Sequence, residues 1–333
     1  MLKLFKSDNP IIVATLLLLT LLFLWWNVFF GNQTTELFFP FDISPMPFYN
    51  YISGMLPAAV TKALAIVLQL ITAFIIARIT VLNQLIDEKG FLYLFFYFFI
   101  VNSYLPLQRF QPVLVAGIFI LLSFQILYST FKNRDAIEKL FFSGMYIAMA
   151  SFFYFQSIYF IVAILIGCSI IRPFNWREWT SAIVGATVPY LFLYSIVFLT
   201  VGNIAELTIQ IRGGWNMELF EPTYNLHQYI FFFSLAFFTF IAIFFLLSYD
   251  TVKIKQRKIY FSLLVFLAFC VGIFFLLPSV SIELLYFVAF PISIILSRFF
   301  TKIKNKKMRE IFFILFFISL LFNQFKILDL FFN

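Results

Sequence analysis

Three cations stand apart from the other basic residues of the chain: Lys62, Arg109 and Arg212. Each lies near the end of a long apolar run or in the long polar stretch 202–227, on the side from which nearly all other Lys and Arg are excluded. A cation at such a position can hold a phosphate or carboxylate at a membrane surface. Acidic groups share that side: Glu36, Asp42, Glu206, Glu218, Glu221 and Glu283. Asp42 sits among Phe, Pro and Tyr in a segment with only one other charge, Glu36. A carboxylate in an apolar setting holds its proton more tightly and can serve as a base. The plainer alternative is that Glu36 and Asp42 mark the solvent side of a surface helix. In 202–227, Arg212-Gly-Gly-Trp-Asn216 combines a cation, a sharp-turn Gly pair and the flat ring of Trp215, which suits a sugar or an interfacial anchor. His227 can shuttle a proton or contact a head group.

These residues are positioned by a chain that is 63% hydrophobic and only 11% charged over 333 residues. A soluble domain of that size needs far more polar surface, so lipid must be the solvent for most side chains. The expected fold is all-α, a polytopic transmembrane helix bundle of about ten or eleven spans, because only helices and closed barrels satisfy backbone groups in lipid. The spans are placed near 11–30, 58–80, 91–106, 112–130, 140–155, 157–171, 180–201, 228–248, 260–277, 284–299 and 311–328. The whole of 1–333 reads as a single integral membrane domain, with outer-face loops 31–57 and 202–227 and no soluble domain.

The stretch 140–171 is too long for one comfortable span and short for two. Charge decides. Two spans, with a tight break near Phe155-Gln156-Ser157 and a cytoplasmic N-terminus, leave only Lys62, Arg109, Arg212 and Lys326 of the 23 Lys/Arg on the outer face. One span would put the basic loops at 253–258 and 298–309 outside, against the positive-inside rule. The run 11–30 reads as a retained first span.

The net charge of +8 reports topology and contact with anionic head groups rather than nucleic acid. A single histidine excludes a multi-His metal site. Cys168 and Cys270 lie in apolar runs without ligand spacing, so neither a metal nor another cofactor is implied. The 53 Phe are spread over every span and read as lipid-facing replacements for Leu. Within the spans the polar residues are Gln69, Thr72, Asn102, Gln125, Gln156 and Asn203. None is charged, which argues against ion-coupled transport.

Arg172-Pro-Phe-Asn-Trp-Arg-Glu-Trp179 is the most distinctive short stretch. Pro173 ends the preceding helix, and the segment reads as an interfacial connector helix whose Arg172 and Arg177 meet lipid phosphates, with Glu178 available to a nearby Arg. With the Pro189-Tyr190 helix after it and Phe141-Phe-Ser-Gly-Met145 through Phe155 before it, the chain resembles an uncharacterised family of bacterial polytopic inner-membrane proteins, a domain of unknown function. The resemblance covers most of the chain and implies a multi-pass protein of the bacterial inner (plasma) membrane, without assigning an activity. The order of a first span, a long outer loop with an acidic residue, and outer-face cations is also similar to integral-membrane glycosyltransferases that use lipid-linked sugar donors. That likeness implies Asp42 for the acceptor and Lys62, Arg109 or Arg212 for the lipid phosphate. The usual Asp-Glu or Asp-Asp pair and a large outer domain are missing. The expected partners are membrane lipids, among them a polyprenyl-phosphate lipid, and other membrane proteins. The rival functions are a non-catalytic membrane partner in envelope assembly or secretion, and a transporter or flippase.

Overall fold

The computed structural model describes residues 57–86, 90–104, 107–133, 135–201, 226–248, 253–277, 280, 282–303, 305 and 307–319, with 15, 20–22, 24, 25 and 208. Among these residues the structure is helical, without strands. Helix α1 spans Ala58–Leu82, α2 Leu92–Asn102, α3 Pro112–Ser129, α4 Ile137–Ser151, α5 Phe160–Ile171 and α6 Trp176–Val201. Then follow α7, Leu226–Ser248, α8, Ile254–Leu276, α9, Leu285–Lys302, and α10 over 307–319. Six of the described helices are long and apolar enough to cross a membrane, and Leu92–Asn102 and Phe155–Ile171 are shorter apolar helices. The chain is thus a multi-pass helical membrane protein.

Local chemistry sets the boundaries. Pro57 precedes α1, and its carbonyl takes the amides of Val60 and Thr61 at 2.9 and 3.1 Å. At the other end Leu85 N–H reaches back to Thr80 O and Gln84 N–H to Val81 O, a Schellman closure that puts Gln84 at φ 50° where glycine is usual. Pro112 opens α3 at a position that needs no amide, and Gln111 before it is extended, as a residue before proline prefers. The break expected near Phe155-Gln156-Ser157 is present. Helix α4 stops at Ser151, a 3-10 turn covers Phe155–Tyr159, and α5 starts at Phe160.

Helix α2 is the centre. All eleven of its residues are buried, against α1 on one side and α9 on another. In the apolar window of α9, 89% of residues are buried, against 17% for α6, so α9 belongs to the core and α6 to the rim. Much of the phenylalanine is interior, which corrects the lipid-facing reading. Phe95, Phe96 and Phe99 of α2 meet Phe300 of α9 and Phe313, Phe316 and Phe317 of α10, with ring centroids 4.7–6.3 Å apart. Each such ring pair adds about 0.5–1.5 kcal/mol beyond burial alone. Elsewhere Phe233, Phe240 and Phe244 of α7 do face outward.

Helix α4 is packed by small residues on two sides. Ser123 of α3 and Ser143 of α4 place their hydroxyls 2.8 Å apart. Gly144 of α4 lies against the Ala182 carbonyl of α6, and Gly185 of α6 against the Phe141 carbonyl of α4. Membrane helices gain nothing by hiding apolar surface from lipid, so such backbone-to-backbone approach is what joins them.

Arg172-Pro-Phe-Asn-Trp-Arg-Glu-Trp179 is not a separate connector helix. Trp176 begins α6 itself, and only Arg172–Asn175 link it to α5. Arg172 is buried rather than lipid-facing. Its Nη2 and Nε donate to the two oxygens of Glu178 at 2.7 and 3.0 Å. Its Nη1 donates to the carbonyls of Thr130 and Asn133 at 2.8 and 2.7 Å. One guanidinium therefore ties the α3–α4 link, the end of α5 and the start of α6 together, its donor fork matched to a carboxylate.

Candidate functional site

The helices alternate in direction, which gives the bundle two chemically different ends. At one end gather the link after α1, the α3–α4 link, Arg172, the start of α8 and the end of α9. Among the described residues this basic end carries Arg78, Lys132, Lys139, Arg177, Lys253, Lys255, Arg257, Lys258, Arg298 and Lys302. The opposite end, named here for Glu283, carries Lys62 and Arg109. The segregation read from the sequence is therefore physical.

The Glu283 end is the candidate site. Trp25 Nε1 donates to Asn102 Oδ1 at 2.8 Å, and Asn102 Nδ2 donates to Phe98 O at 2.8 Å. Gln108 Nε2 then donates to the carbonyls of Asn102 and Leu24 at 2.7 and 3.2 Å. The α2–α3 link is thus tied to α2 and to the segment holding Trp25. Tyr286, two residues into α9, donates to the Leu107 carbonyl of the same link. Arg109, part-exposed, follows two residues later, within electrostatic reach of Tyr286, as is Tyr97.

Beneath the link a small cavity is lined by Thr72, Tyr97 and Tyr286 with apolar neighbours including Leu114, Phe287 and Phe290. It has room for about one water molecule. Tyr97 OH donates to Thr72 Oγ1 at 2.8 Å, and Thr72 in turn donates to the α1 backbone at Leu68 O, 2.8 Å away. Gln69, three residues before Thr72, is fully buried. Here the hydroxyls of two tyrosines and a threonine, with an amide, converge inside an otherwise apolar bundle.

Glu283 itself is fully buried on the turn Ile282–Leu284 that opens α9. Tyr154, from the break between α4 and α5, donates to Glu283 Oε1 at 3.3 Å, and its ring packs on Phe287 at 6.0 Å. Sequence placed Glu283 on one face and Arg298 on the other, and both are buried in protein. The apolar stretch Ile282–Lys302 holds Glu283 at one end and Arg298, 4% exposed, near the other. Both sit at the margins of the apolar run, where composition alone reads them as flanks.

Of the residues singled out from sequence, Arg109 joins this cluster. Lys62 stands part-exposed on the second turn of α1, at the same end. His227 is in the first turn of α7; its side chain lies outside the described residues. Asp42, Arg212 and Trp215 also lie outside them. Gln69, Thr72 and Asn102, expected as intramembrane polar residues, are buried in protein. Tyr97, Tyr286, Tyr154 and Trp25 were not anticipated. A tyrosine in an apolar helix carries no periodic signal, and only the fold tells which hydroxyl meets which. Among the described residues no group of His, Cys, Asp or Glu could hold a metal ion.

The model of a family of unknown function (DUF6427) matches residues 1–331, and the chain belongs to that family. No curated protein and no solved structure matches it.

Proposed function

We propose that this member of the family binds the phosphate-bearing head of a membrane lipid of the polyprenyl-phosphate class at the Glu283 end, with Arg109 as the cation that holds it. The observation that carries the reading is the placement of Arg109. It stands part-exposed on a link whose neighbours Leu107 and Gln108 are bonded into the bundle, within electrostatic reach of Tyr286. A guanidinium held on a fixed frame suits a phosphate better than one on an untethered loop. Lys62 at the same end adds positive charge. Transfer of a sugar from such a lipid is the finer proposal. It adds Asp42 as the base, Arg212 and Trp215 for the donor, and His227 for proton transfer, all by sequence position.

The test is lipid mass spectrometry on the protein in native nanodiscs, with Arg109→Ala and Arg212→Ala beside the parent. A co-purifying polyprenyl-phosphate species that either variant loses supports the proposal. Bulk phospholipid alone, unchanged in both variants, removes it. A second reading, a non-catalytic membrane partner in envelope assembly or secretion, draws on α6, whose apolar window is only 17% buried. Co-purification of a stoichiometric partner in mild detergent would favour it. The helix break between α4 and α5 is what favours a flippase, and the tight cavity counts against one.

A further inference from the structure

The walls of the small cavity beneath the α2–α3 link can accept hydrogen bonds but have spent the protons they could offer. Three hydroxyl-bearing residues line it, Thr72, Tyr97 and Tyr286. Each hydroxyl has one proton to give. Tyr97 gives its proton to Thr72 Oγ1 at 2.8 Å. Thr72 gives its own to Leu68 O at 2.8 Å, and Tyr286 gives its own to Leu107 O. Only oxygen lone pairs are left over. The rest of the lining is apolar, with Val113, Leu114 and Phe266 among it.

Gln69 supplies an independent sign of a ligand. It stands three residues before Thr72, on the same face of α1, and is fully buried. Its side-chain amide approaches the Tyr286 hydroxyl. Yet neither Nε2 nor Oε1 closes a hydrogen bond among the described residues. An amide buried in that way costs stability, because both its donors and its acceptor have been taken from water without replacement. Beside it lie spare lone pairs and a space of about one water molecule. What would complete the arrangement is one small group that both donates and accepts.

We infer that this cavity is a binding site for a single water molecule, which bridges Gln69 of α1 to Tyr286 of α9. Water donates and accepts, so it meets the amide whichever way that group is turned. Its protons also reach the lone pairs of Tyr286 and Thr72, which gives it the roughly two to four polar partners that a buried water needs. Other ligand classes fit worse. A phosphate or carboxylate would face lone pairs, with only the Gln69 amide to donate. A bare cation would be buried at high cost, and among the described residues no acidic side chain lines the cavity. The phosphate proposed for Arg109 cannot enter here, so the two readings stand or fall separately.

Gly117 of α3 supplies the test, because it lines the same cavity. A Cβ there would meet Phe287 Cε1 and Cδ1 at 3.5 and 3.7 Å, which is ordinary contact, so alanine fits without parting the helices. In a dry cavity the new methyl fills space and replaces a helical glycine, and stability rises. In a hydrated one it expels the water and strands Gln69. Thermal unfolding of the full chain in nanodiscs is followed for the parent, Gly117→Ala, Gln69→Leu and Gln69→Leu/Gly117→Ala. The expected result is that Gly117→Ala lowers the melting temperature of the parent but not that of Gln69→Leu, where no amide is left to strand. Solid-state NMR of the isotope-labelled protein should also show polarisation passing from water to the Gln69 side-chain nitrogen, and Gly117→Ala should lose that signal. A rise on Gly117→Ala in both backgrounds, an equal fall in both, or no transfer from water in the parent overturns the inference. So does a parent whose melting temperature climbs when sodium replaces choline at equal ionic strength while Gly117→Ala does not respond, because the ligand would then be a cation.

Discussion

Gly185→Ala adds one methyl group at the tightest seam of the bundle. A Cβ built there would stand 2.0 Å from the Phe141 carbonyl oxygen and 2.8 Å from its carbon. Ordinary contact begins near 3.4 Å, so α4 and α6 would have to part by about 1.4 Å. The obstacle is backbone, which cannot swing aside like a side chain. Overpacking of this kind costs about 1–3 kcal/mol, and a gap of that size, where it opens along the seam, removes at least about half the attraction of a neighbouring contact. A helical Gly→Ala change with no crowding should instead gain up to about 1 kcal/mol. The chain contains that control: a Cβ at Gly272 of α8 meets nothing within 4 Å. The assay is built in too, since the two cysteines, Cys168 and Cys270, are both buried. A thiol-reactive fluorophore therefore reports unfolding on heating. At about 2 °C or a little less per kcal/mol for a chain of this length, Gly185→Ala should melt roughly 2–6 °C below the parent and Gly272→Ala at or slightly above it. If the two variants melt within about 1 °C of each other, the close approach of α4 and α6 is not what joins them, and the argument fails.

Removing one partner of the buried Arg172–Glu178 pair should be severe. Glu178→Ala strands a guanidinium and is expected to destabilise by about 3–5 kcal/mol, read as loss of monodisperse protein in size-exclusion chromatography, while Arg172→Met/Glu178→Leu recovers part of it. Tyr97→Phe deletes a single neutral hydrogen bond to Thr72 and should cost about 1 kcal/mol in the same thiol-exposure melt; a loss several times larger would mean that the hydroxyl serves more than Thr72. Arg109→Ala is expected to leave the melting temperature within about 1 °C of the parent, as part-exposed substitutions usually do, while abolishing retention of the proposed lipid. Equal loss of stability and lipid would make Arg109 a structural residue.

Much of this architecture is legible in apolar run length and charge. The paired short helices on either side of Phe155–Tyr159 were inferred from the placement of Lys and Arg alone, because a wrong span count would move two basic loops across the membrane. What the sequence conceals is which side of each apolar run faces protein. Helix α2 and helix α7 are both rich in Phe, yet the first is wholly interior and the second largely outward. Lipid and protein interior are equally apolar, so no hydropathy pattern separates them. For the same reason Arg109 was recognisable as an exception to the charge rule, whereas the roles of Tyr97 and Tyr286 and the burial of Glu283 were not. The role of Gly144 and Gly185 emerges only when their helices are seen to cross.

The enclosure of α2 bears on how the protein is made. Its eleven residues extend about 16 Å, roughly half the hydrocarbon thickness, so it is a poor candidate for stable insertion by itself. Its enclosing partners come late: Leu85, just before it, is held by Arg298, 213 residues further along the chain, and the rings that cover Phe95 and Phe96 belong to α9 and α10. For most of its synthesis the nascent chain therefore carries an unfinished centre, and a product that stops short of α9 would present the membrane's quality-control proteases with an orphaned helix.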